Sequence, residues 1–111
     1  MIAVAGPYSA ATAGERQSNL DAMNRAAADL VRRGHIPVIG VNAALPVVEM
    51  LDTLDRYQVI MAISLAVVGR CDAILMIGES PGANRERELL AERGCPVYLS
   101  LEEVPEAPVA H

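Results

Sequence analysis

The stretch from Cys71 to Glu86, CDAILMIGESPGANRE, decides the fold. A strand is predicted over Asp72–Ile77, and Ala73 to Ile77 are apolar at every position. An unbroken apolar run suits the middle of a parallel sheet, where helices cover both faces. The chain then leaves through Gly78-Glu79-Ser80-Pro81-Gly82. A residue before proline is pushed to extended backbone. Ser80 therefore suits a helix N-cap, with Pro81 at the first helical position. A helix follows over Ala83–Arg93, with Leu89 and Leu90 inward, and Gly94 closes it by taking up a left-handed conformation.

The same alternation runs outward from this unit. Ile2–Ala5 is a short strand, Gly6-Pro7-Tyr8-Ser9 a turn, and a small-residue loop continues to Gly14. From Glu15 to Arg33, Leu20, Met23, Ala26, Ala27, Leu30 and Val31 recur at helical spacing, and Gly34 ends the helix. His35–Ile39 is a second strand; Pro37 cannot donate to a ladder, so it belongs at the strand's start or on an edge. Gly40–Thr53 reads as irregular, with a short helical turn after Pro46. Leu54–Arg70 is a helix with few polar positions, Pro96–Leu99 the last strand, and LEEVPEAPVAH, from Leu101, a surface turn. Strand-helix repetition over 111 residues predicts one α/β domain spanning 1–111. It is expected to be a doubly wound parallel sheet of about four to five strands with right-handed crossovers. Ligands of such sheets bind beyond the carboxyl ends of the strands. Gly6–Gly14, Gly40–Thr53 and Gly78–Gly82 all lie at that edge.

Composition removes several function classes. Net charge is −5, so no electrostatic footprint for nucleic acid or an anionic membrane exists. Trp and Phe are absent and Tyr occurs three times, too few for base-stacking platforms. All nine basic residues are Arg, which excludes a Schiff-base lysine or a lysine general base. Cys71 and Cys95 form no CxxC or metal-ligand pair and read as reduced thiols of a cytoplasmic protein. His35 and His111 are too scattered for a metal site. The longest apolar run, Val59–Val68, falls well short of a membrane span.

The polar groups at the loaded sheet edge carry two readings each. Ser80 caps a helix, or it offers a hydroxyl to an anion at that helix's positive end. Glu86 is a solvated helix residue, or it points back into the cleft as a working carboxylate. Tyr8 and Ser9 cover the core edge, or they line the cleft. Asp52 or Thr53 caps the following helix. Ser9 and Ser80 have no Ser-His-Asp partners, since His35 falls at the opposite end of the sheet.

Several stretches together resemble the nucleoside 2-deoxyribosyltransferase-like superfamily. They are AGPYS; Arg16, Asn19, Met23, Ala26 and Leu30 followed by GHIPV; CDAIL; and Ser80, Gly82, Glu86 and Ala91 followed by GCPV. SPGANRE is the most specific of these. The resemblance spans nearly the whole chain and includes deoxyribosyltransferases and nucleoside 5′-monophosphate N-glycosidases. It implies a flavodoxin-like sheet and chemistry at the N-glycosidic bond of a nucleoside or nucleoside 5′-monophosphate. Glu86 then takes the position of the glutamate nucleophile and Tyr8 that of the residue positioning nucleophile or substrate. Ser80 matches the serine of phosphate-accepting members, and Gly6, Ser9 and Gly82 line the pocket. No cofactor or metal is implied. One departure stands out: where the superfamily carries an aspartate that assists base departure, this chain has Ser64. The alternative is therefore a nucleotide-binding module that has lost turnover. The apolar segment Tyr57–Val68 further predicts a homodimer or higher even-numbered oligomer, with Ile60 at the contact and a neighbouring subunit near each cleft. The rival expectation is that Gly40–Thr53 folds over this helix.

Overall fold

The computed structural model describes residues 1–107. Four strands form one all-parallel sheet: β1 (Ile2–Ala5), β2 (Pro37–Val38), β3 (Ala73–Met76) and β4 (Val97–Tyr98), in the order β2-β1-β3-β4. This is the doubly wound, flavodoxin-like arrangement. β1 and β3 pair over four residues, from Ile2 with Ala73 to Ala5 with Met76, and form the buried centre. Pro37 lies on the edge strand, where a missing N–H costs nothing.

Alternation along β1 explains the two layers. Ile2 and Val4 point to one face, where they pack with Met23 and Leu30 of α1 (Ala13–Arg32). Ala3 and Ala5 point to the other, with Val68 of α3 (Arg56–Val68) and Ala83 and Leu90 of α4 (Pro81–Glu92). The small alanines let α3 and α4 sit close to the sheet. Gly34 and Gly94, with φ of 88° and 76°, terminate α1 and α4 in the left-handed conformation.

Several expectations are corrected. Gly40–Val48 is a nine-residue helix, α2, not an irregular segment. Pro46 sits inside it, near its end, so the apolar run continues through the proline. α2 packs along α3, and Gly40 makes this possible: a Cβ there would stand 2.8 Å from the Cβ of Ser64. Ile60 of α3 is half-buried: it packs against the core and lines the cavity described below. Exposed apolar side chains instead cluster at the α2–α3 junction, at Val47, Met50, Leu51, Leu54 and Tyr57.

Further corrections concern helix starts and the tail. α1 begins two residues before Glu15, because Thr12 accepts from the Glu15 N–H (3.1 Å). α3 begins at Arg56 behind Asp55, and neither Asp52 nor Thr53 caps it. The tail is not only surface. A 3₁₀ turn, Leu101–Glu103, delivers Val104 into the core at 1% exposure. The Val104 carbonyl accepts from Arg33 (2.8 Å), and Ala107 N–H donates to the Arg33 carbonyl (3.0 Å). His111 and the rest of the tail beyond residue 107 lie outside the described residues.

Candidate functional site

β1 and β3 end in glycines that open the sheet's carboxyl edge. A Cβ on Gly6 would meet the Ile77 side chain at 2.6 Å, and one on Gly78 would meet Pro7 at 2.8 Å. The two loops therefore cross in contact and turn apart above the sheet. Two side chains of α1 fix the first loop. Asn19 donates to the Tyr8 carbonyl (3.0 Å) and Arg16 to the Ala10 carbonyl (2.9 Å). These bonds set where Tyr8 and Ser9 stand.

The second loop delivers α4. Ser80 is extended (φ −160°, ψ 163°), and its Oγ accepts from the Ala83 N–H (3.1 Å). The cap uses only the acceptor side of the hydroxyl, so its proton is free to donate outward. Asn84 N–H is taken by the Ser80 carbonyl (2.8 Å), and Pro81 has none. Ser80 O–H and Gly82 N–H are thus the donors left at this helix end. A Cβ on Gly82 would stand 3.1 Å from the Met61 sulfur, so its absence lets α4 start against α3.

A half-open cavity of about 250 Å³ lies between these elements. Gly6, Tyr8, Ser9, Ser64, Ser80, Gly82 and Glu86 all line it. The seven residues expected at the site thus all line this cavity. Tyr57, Ile60 and Met61 also line it and were not named as site residues. Their signal was spacing: Tyr57, Met61 and Ser64 fall three to seven residues apart on α3, hence on one stripe. Val41 of α2 completes the apolar side, and it was hidden because α2 was not recognised as a helix. The acidic group Glu49, Asp52 and Asp55 stays outside; Glu49 pairs with Arg56 (2.6 Å). His35 sits at the far end, against the Pro105 carbonyl (2.6 Å).

Glu86 is the one carboxylate on this wall. It is 7% exposed, so the solvated-helix reading does not describe it. Among the described residues no ion pair engages it. Burial pushes its carboxyl from 4.5 to about 7. A buried, unpaired carboxylate costs stability unless something else uses it. Ser64 is 1% exposed and pressed by the start of α2, so its small size is a packing requirement as well as a lining feature. Cys71 is a buried thiol, raised by that burial, and Cys95 is half-buried; both are free. No cluster of metal-ligating side chains occurs among the described residues, and no helix there is long and apolar enough to cross a membrane.

Residues 2–99 match a domain of unknown function, DUF4406, and the chain belongs to that family. No curated protein matches it.

Proposed function

We propose that this member of the DUF4406 family binds a nucleoside or nucleoside 5′-monophosphate in the cavity and acts on its N-glycosidic bond through Glu86. The carrying observation is the position of Glu86: a lone buried carboxylate lining a cavity that the N-terminus of α4 also lines. The resemblance of SPGANRE to the nucleoside 2-deoxyribosyltransferase-like superfamily supports the same reading. A 5′-phosphate would accept from Ser80 O–H and Gly82 N–H at the positive end of α4. The apolar wall of Val41, Ile60 and Met61 would take the base.

In the reaction, a Glu86 oxygen bonds to the anomeric carbon as the carbon–nitrogen bond breaks. The departing base keeps the electron pair and takes a proton from water. Water, or a second base, then attacks the same carbon and returns the carboxylate. Splitting one displacement into two is the gain from a covalent nucleophile. Tyr8, held by Asn19 through its backbone, would position sugar or carboxylate. A second copy of the chain would cover the cluster of Met50, Leu51, Leu54 and Tyr57 beside the cavity mouth.

Ser64 favours a second reading, a module that binds without turnover. A hydroxyl is a poor general acid at neutral pH, and the cavity offers no other carboxyl. Incubation with a panel of nucleosides and 5′-monophosphates, with free base followed by chromatography and binding by calorimetry, tests both. Base release lost in Glu86→Gln supports the enzyme; binding without release supports the module. Neither binding nor release refutes both.

A further inference from the structure

Glu86 also lines a second, smaller chamber of about 20 Å³. Its wall includes Ala5, Met23, Ile39, Gly40 and Val41, and it shares Gly6, Val41 and Glu86 with the large cavity. Glu86 thus borders both spaces, together with Gly6 and Val41.

Gly40 and Val41, at the start of α2, also line this chamber. The first N–H groups of a helix have no partner within it. Ile39, the residue before α2, has no side-chain oxygen to cap it. The Asn42 N–H reaches the Ile39 carbonyl (3.1 Å), which leaves the N–H groups of Gly40 and Val41. Glu86, a residue 7% exposed and in no ion pair among the described residues, lines the same space. The residues that carry these donors and this acceptor thus line one small space. A water molecule needs about 10–15 Å³ of such volume and two to four polar partners.

We propose that this chamber is a binding site for one water molecule, which accepts from the Gly40 or Val41 N–H and donates to a Glu86 oxygen. Helix α2 then holds the carboxylate from behind while its other oxygen faces the large cavity. An anion is excluded by the charge of Glu86 and by the volume. The remaining ionisable side chains on the two cavities are Tyr8 and Tyr57, and Cys71 is near enough to feel the charge of Glu86. The inference concerns a proton and a water, and it holds whether or not the protein cleaves a nucleoside.

Two measurements on the full chain test it. A crystal structure that resolves ordered water should show one peak within hydrogen-bond distance of a Glu86 oxygen and of the Gly40 or Val41 nitrogen. A chamber without that peak, or Glu86 bonded directly to those nitrogens, overturns the proposal. In solution, Val41→Leu adds a methylene to the wall and should expel the water. With carbon-13 at the glutamate Cδ and Glu86→Gln for assignment, the Glu86 midpoint should rise by about one pH unit or more, a tenfold gain in proton affinity, on losing a charge-assisted hydrogen bond. An unmoved midpoint in folded Val41→Leu overturns the proposal. Ala5→Val plugs the chamber from the other wall and is read in the same way if Val41→Leu does not fold.

Discussion

Glu86→Gln should make the protein more stable at pH 8 and leave it nearly unchanged at pH 4.5. Burial raises the Glu86 carboxyl from 4.5 to about 7 in the folded chain, while the unfolded chain keeps the ordinary value. Below 4.5 both states hold the proton and burial of the neutral acid costs little. Between 4.5 and 7 the unfolded state releases the proton first, so it binds fewer protons and stability falls as pH rises. Above 7 both are ionised and the full loss is present. The difference, at about 1.4 kcal/mol per pH unit, comes to about 3 kcal/mol, less whatever the proposed bridging water returns. Glutamine has nearly the same shape and no charge, so its stability should not follow this curve. Urea unfolding of both proteins across pH 4.5 to 8 is the assay. Parallel curves would show that Glu86 is solvated and would end the argument for a working carboxylate. Divergence would mean that the native residue weakens the fold at neutral pH, as groups kept for function often do.

Four further outcomes are expected. If Glu86 is the nucleophile it must be ionised, so initial rates of base release should rise with pH through about 7 and level off above. Ser80→Asp should keep the helix cap but repel a phosphate, so calorimetry should show 5′-monophosphate binding weakened and nucleoside binding spared. Gly40→Ala should destabilise by about 1–3 kcal/mol in urea unfolding, because the new methyl meets Ser64 at 2.8 Å and α2 must shift. Leu54→Asp should reduce an assembly to the 11.8 kDa monomer by light scattering without loss of fold, since Leu54 is fully exposed within one chain.

How far these features could be read in advance follows from how local their causes are. The Ser80 cap, Pro81 and the closing glycines act within a few residues, so the α4 unit was visible in the string itself. Apolar continuity placed β3 in the sheet's centre. α2 was not visible because its cause is distant. Its first residue is a glycine and its interior holds Pro46, both poor helix signals, and the helix is stabilised by lying on α3 at Ser64. Val104 was missed for the same reason: nothing in EEVPE announces that the chain turns back over α1. The burial of Glu86 needed both helices in place. Its position one turn into α4 was legible, whereas the walls that desolvate it come from β1, α2 and α3.

Gly40 and Ser64 tie that burial to the chemistry. α2 can begin beside Glu86 only because neither residue carries bulk at the contact. An aspartate at position 64 would place a second carboxylate on the same desolvated wall. Two like charges there would raise each other's proton affinity, so one would hold a proton and could serve as an acid. Serine forgoes that acid and keeps α2 close. With a single carboxylate, the proposed function would draw its electrostatic support from the helix ends: α4 towards the ligand and, through the proposed water, α2 towards Glu86. A carboxylate held there by the proposed water would keep its other oxygen for the cavity, as the proposed nucleophile requires, and the water peak and the Glu86→Gln assay test those two statements separately.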